Sequence, residues 1–174
     1  MSAPILRGRH STVPTPGTVV FIIGMRINQL RRLRTWVPVM LAMPRMLAEL
    51  GQRPELGLLG AKTYVSGRTV ATIQYWRDAE SLTRYATGRD MAHLPAWREF
   101  NRRTRDTGQV GIFHETYVIG RAESVYVNVP EDFGLGGVSG WVDPSAVGQS
   151  AAHRLDPAAA DRPAAGPDQD LTPP

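Results

Sequence analysis

Histidine titrates closest to neutral pH, so the surroundings of each histidine come first. The chain has four of them and no cysteine. His93 stands two residues before Pro95, and Trp97, Phe100 and Asn101 follow at i+4, i+7 and i+8. That spacing lines one face of a helix. Pro95 suits a first turn, which puts His93 at the helix entrance. The positive end of the helix dipole disfavours imidazolium there, so a neutral imidazole is expected. Such a group can act as a base, orient a substrate or ligate haem iron. It can equally well hydrogen-bond backbone and pack on Trp97.

A second group, His114, Glu115 and Tyr117, lies in VGIFHETYVIG. On a strand His114 points to one face while Glu115 and Tyr117 point to the other, so the three cannot form one local dyad. Val118 occupies the position where an HExxH zinc motif needs its second histidine,. His114 reads either as a cavity-lining group or as a structural hydrogen-bonding one. A third group, Gln74, Tyr75, Trp76 and Arg77, ends a strand and either lines a small-molecule pocket or packs within a sheet,. A fourth, MRINQLRRLRTW (25–36), is a basic, Trp-bearing lead into an apolar segment. It either lies on an anionic membrane or is solvated arginine over a core helix.

These residues need positioning elements. GTVVFIIGMRIN (17–28) reads as a buried strand,. Trp36 to Leu50 has helical spacing, with Gly51 expected to stop it and Pro44 to bend or split it,. Two strands follow, 56–67 and 68–77, joined at Ser66-Gly67,. Asp78 is a candidate N-cap for a helix that breaks at Gly88,. A second helical piece should run from about His93 to Arg105, and two more strands cover 109–120 and 122–130. The order is β-α-β-β-α-β with an added strand, the ferredoxin-like plan of the α+β class. Helices on one face leave the other face of an antiparallel sheet bare, so a partner sheet is expected to cover it.

Composition narrows the function classes. The chain has 174 residues, 42% of them hydrophobic, enough for one domain with a real core,. Without cysteine there is no disulfide, thiolate site or cysteine nucleophile,. Residues 1–137 carry a net charge of +7 and residues 138–174 carry −3. The arginines are scattered apart from Arg31, Arg32, Arg34 and Arg102, Arg103, Arg105, and no nucleic-acid-binding motif accompanies them,. GxGxxG after a strand, a Walker loop and a GxSxG elbow are all missing,. The N-terminal stretch lacks the apolar core of a signal peptide, and the longest apolar run is too short to span a bilayer,. A cytoplasmic protein is expected. The expected boundaries are an N-terminal extension (1–16), a core domain (17–137) and a disordered Pro/Ala/Asp-rich tail (138–174),.

Taken together, MRIN (25–28), WVPVMLAMPRMLAEL (36–50), GRTVATIQYW (67–76), HLPAWREFN (93–101), VGIFHETY (110–117) and YVNVPEDFGLG (126–136) resemble one family. It is the small monooxygenase-like family first catalogued as a domain of unknown function, which includes the fumagillin-pathway polyketide monooxygenase. The resemblance implies a dimeric α+β barrel, a homodimer with an apolar cavity between sheet and helices. It also implies oxidation of a small or medium hydrophobic substrate, of polyketide or terpenoid type. The cofactor would be none or haem, with His93 or His114 as the axial ligand. In the cofactor-free route His93 is the base and Asn101 or Tyr75 orients the oxyanion. Arg26, Asn28, Trp97, His114, Glu115 and Tyr117 are the substrate-binding candidates. The competing reading is a non-catalytic dimeric binding protein for hydrophobic ligands, membrane-associated through residues 29–50.

Overall fold

The computed structural model describes residues 3–88, 98, 100–101, 107–148 and 150–155. The elements β2 (Val19–Ile27), α1 (Leu33–Gln52), β3 (Leu58–Ser66), β4 (Thr69–Trp76), α2 (Ala79–Thr87) and β5 (Val110–Val118) follow in chain order. Their strands form one antiparallel sheet in the order β3-β4-β2-β5. This is the ferredoxin-like arrangement expected from the β-α-β-β-α-β order.

Register sorts the side chains. Val19, Phe21, Ile23, Met25 and Ile27 of β2 stand opposite Trp76, Gln74, Thr72 and Val70 of β4. Across the other edge they stand opposite Val118, Thr116, His114, Ile112 and Val110 of β5. Directly paired residues share a face, and this face meets the helices. One core cluster joins Val19, Met46, Leu50, Leu56, Trp76, Leu82 and Tyr85. A second joins Met25, Ile27 and Val110, with Trp36, Met40 and Phe100 packed on it. The opposite face carries Val20, Ile22, Gly24 and Arg26 beside Tyr75, Ile73, Glu115 and Tyr117.

Local chemistry explains the boundaries. Asp78 caps α2 as expected, accepting from the Ser81 N–H at 2.6 Å, and the helix ends at Gly88. That N–H, with the Ser81 and Arg77 side chains, holds the Asp78 carboxyl below its ordinary range,. The β3–β4 turn falls on Gly67 and Arg68, with Gly67 at φ +56°. α1 departs from expectation: it starts at Leu33, runs through Pro38, Pro44 and Gly51, and ends at Gln52 as one element. Both prolines sit on its exposed side, where water can satisfy the carbonyls they leave unpaired,.

The chain ends also depart from expectation. The 1–16 extension contributes β1 (Ile5–His10), which pairs antiparallel with β6 (Tyr126–Pro130) in a separate two-stranded sheet. The added strand therefore does not extend the main sheet. The segment read as a disordered tail is ordered at its start, with α3 (Gly136–Ser139), α4 (Pro144–Val147) and α5 (Ala151–Leu155). Ser11 bridges to Val142, and Arg154, almost fully buried, pairs with Glu123. Tyr126 holds this strap together. Its ring meets Trp141 edge-on at 5.1 Å, and its hydroxyl accepts from the Leu135 N–H at 3.1 Å.

Candidate functional site

Between the helix-facing side of the sheet and the two helices lies an apolar cavity of about 30 Å³. β2 supplies Phe21 and Ile23, β4 supplies Gln74 and Trp76, α1 supplies Met43, Met46 and Leu50, and α2 supplies Leu82, Tyr85 and Ala86. The space is water-sized, whereas pockets for drug-sized ligands span roughly 300–1,000 Å³. Two of the walls are methionines, whose unbranched side chains have three rotatable bonds and yield readily.

One polar side chain stands out in this lining. Gln74 is 4% exposed. Its Oε1 accepts from Trp76 Nε1 at 2.9 Å, so its amide N–H₂ points to Met43 Sδ at 3.5 Å. A thioether is a weak acceptor, so a substrate oxygen would be a better partner for that donor. Tyr85 closes the α2 side, its hydroxyl donating to Glu49 Oε2 at 2.9 Å. Burial, and then the Glu49 hydrogen bond, push its pKa well above the usual tyrosine value,.

The sequence candidates divide between the two faces. His114 is on the helix-facing side, directly opposite Ile23, with its ring 5.8 Å from that of Phe21. Both neighbours line the cavity, while His114 itself is exposed and lies outside the lining. Asn101 is helical and half-buried, next to Phe100 of the second core cluster. Tyr75 pairs with Val20 on the opposite face, away from the cavity. Desolvation, with Tyr126 and Tyr64 nearby, pushes its hydroxyl up to about 12. Glu115 and Tyr117 are on that face too, joined by a 2.5 Å hydrogen bond that raises the Tyr117 pKa. Arg26 donates to Thr69 Oγ1 at 3.3 Å, and Asn28 to the Gly108 carbonyl at 3.0 Å, so both tie strand ends. His93 and Trp97 lie outside the described residues.

No group of three or more histidine, aspartate or glutamate side chains could hold a metal ion among the described residues. At about 30 Å³ the cavity takes neither a porphyrin nor an aromatic substrate unless its walls move,. Sequence reading did not single out Phe21, Ile23, Met43, Met46 or Tyr85 as site residues, and it grouped Gln74 with Tyr75 as pocket candidates although their alternation along the strand sets them on different faces,. The alternation of β4 carried the signal for that separation.

Comparison with known proteins agrees with this architecture. The sequence profile of the family described as Monooxygenase af470-like matches residues 18–135. Monooxygenase af470 of Aspergillus fumigatus is 33% identical over 136 residues, covering 70% of this chain and 46% of the relative. The chain thus spans about half the length of that relative. A solved structure of an aldoxime dehydratase in complex with butyraldoxime superposes with a TM-score of 0.59 at 14% identity. It covers 78% of this chain and 43% of that one, and shows a shared fold. SnoaB, a cofactor-independent oxygenase from Streptomyces nogalater, gives a TM-score of 0.44 at 12% identity, over 61% of this chain and 96% of that one.

Proposed function

The chain belongs to the Monooxygenase af470-like family, and from that premise we propose that it oxidises a small or medium hydrophobic molecule with O₂ in the sheet–helix cavity. The observation that carries this reading is the buried Gln74 amide, whose N–H₂ meets the Met43 thioether among largely apolar walls. The substrate is an enolisable, electron-rich compound of polyketide type. It enters as Met43 and Met46 swing aside and binds with its oxygen on Gln74 Nε2.

The cofactor-free route needs few groups. A histidine takes a proton from the activated CH₂ of the substrate, and the Gln74 amide stabilises the resulting enolate oxygen. The carbanion reduces O₂, one oxygen atom becomes the product carbonyl, and the other leaves as water. The four electrons come from the substrate, so no external reductant enters the balance. His114 takes the base role, and His93 is the other candidate. Gln74 replaces Tyr75 as the group that orients the oxyanion, because Tyr75 stands on the opposite face.

The test is an O₂ electrode with an anthrone such as dithranol as probe, repeated on His114→Ala and His93→Ala. Loss of turnover in one of them identifies the base, and unchanged turnover in both refutes the acid–base assignment. An absorption spectrum of protein made with haem supplied decides the cofactor. A Soret band lost in either histidine variant would replace the cofactor-free route with a haem-dependent one. Hydrophobic ligand that co-purifies without O₂ uptake would favour the non-catalytic binding protein. The β5 side of the sheet face opposite the helices, with Phe113 and Tyr117 exposed while the strap covers the β3 side at Gly60, supports a homodimer formed through this face. Sedimentation equilibrium of Tyr117→Asp checks it, and a monomeric wild type would refute it.

A further inference from the structure

Helix α1 is apolar beyond the side that faces the sheet. Its inward side packs Trp36, Val39, Met40, Met43, Met46 and Leu50 into the two core clusters. Beside that inward side, on an arc that begins next to Met40, stand Leu33, Val37, Leu41, Pro44 and Ala48, spaced i, i+4, i+8, i+11 and i+15,. Leu33 is 57% exposed and Leu41 43%, while Leu30, just before the helix, is 49% exposed. A surface helix of a globular domain ordinarily places polar residues on that arc.

The charge around this stripe has one sign. Arg31 and Arg32 precede the helix, and Arg34 and Arg45 border the stripe. Arg68 reaches the Asn28 carbonyl at 3.5 Å, which puts it at the end of the sheet where the chain leaves β2 for α1. None of these five arginines forms an ion pair among the described residues. The sequence contains no aspartate or glutamate before Glu49. No helix among the described residues is long and apolar enough to cross a membrane.

We infer that the outer face of α1 docks the protein peripherally on an anionic lipid surface. The leucines sink to headgroup depth, and the arginines meet lipid phosphates. A polar protein or nucleic-acid surface would satisfy the charges but leave Leu30, Leu33 and Leu41 in water. A bilayer interface takes both. This docking does not depend on the proposed oxidation, since vesicle binding and O₂ uptake are read separately.

Co-sedimentation of the full chain with phosphatidylcholine vesicles, with and without phosphatidylglycerol, tests it. The protein should pellet with the anionic vesicles alone and be released as salt rises. Neutralisation of Arg31, Arg32 and Arg34 to Gln should weaken binding about a hundredfold, at roughly fivefold per arginine. Leu33→Ser with Leu41→Ser should also weaken it, with an unchanged melting temperature and a circular dichroism spectrum like wild type. Three results would overturn the inference: equal pelleting with both vesicle types, no pelleting while duplex DNA is bound, or wild-type binding by both variants. A fourth is a dimer that falls apart when Leu33 and Leu41 become serine, because the face would then belong to a second copy.

Discussion

Trp76 Nε1 donates to Gln74 Oε1 at 2.9 Å, and this bond between side chains two residues apart on one strand face fixes which way the Gln74 amide points. With its oxygen occupied, only the N–H₂ end is left to meet a ligand in the cavity.

Replacing Gln74 tests that pairing. Gln74→Leu leaves a buried indole N–H without an acceptor and should cost about 1–3 kcal/mol. Gln74→Leu with Trp76→Phe removes both polar partners and should recover part of that loss. Urea unfolding of the two single variants and the double variant gives the coupling. A double variant as unstable as the sum of the singles would mean the bond contributes nothing.

Alkaline pH should destabilise the fold through two tyrosines. Folding raises the Tyr75 pKa to about 12 and the Tyr85 pKa further, mainly because burial disfavours the phenolate. A raised pKa stabilises the protein fully below the ordinary tyrosine value of about 10 and is lost as pH climbs through the folded value. The urea midpoint should therefore fall as pH rises above about 10. Tyr75→Phe and Tyr85→Phe should each flatten the decline. A wild-type slope in both variants would trace the decline to other groups.

Gly60 is the point where the C-terminal strap rests on β3. A Cβ added there would meet Val138 Cγ1 at 2.5 Å. Gly60→Ala should push α3 off the sheet, seen as a change in Trp141 fluorescence and faster proteolysis after residue 130. Gly60→Ala with Val138→Ala should restore both, because the clash is with that side chain. Failure of the double variant to recover would mean the strap is held elsewhere.

The main sheet could be read from sequence because β2, β4 and β5 carry long β-branched runs with turn residues between them. Two features hid the rest. α1 is apolar on nearly every side, so its periodicity marks a helix but not its inward face, and Pro44 suggested a break that the exposed position of the ring makes unnecessary. β1, sequence ILRGRH, has little strand character of its own, and its partner β6 lies more than a hundred residues away. Pairings of that kind depend on tertiary context rather than on local propensity. At the site, the alternation of Gln74 and Tyr75 was visible, but both faces of β4 are part apolar. The packing of Trp76 on Tyr85, with ring centroids 5.7 Å apart, and of Gln74 on Met43 shows which face meets the helices.

The most direct measurement is O₂ uptake by the full chain with dithranol and no added cofactor, comparing wild type with Gln74→Leu and Ala86→Leu. Ala86→Leu fills the cavity from α2, and Gln74→Leu removes its one amide donor. Wild type should consume O₂ well above the buffer rate, in a one-to-one ratio with substrate. Ala86→Leu should abolish this activity, and Gln74→Leu should lower it about a hundredfold, with both variants folded by circular dichroism. A wild-type rate equal to buffer across a panel of enolisable phenols, or a full rate in Ala86→Leu, would contradict oxidation in this cavity.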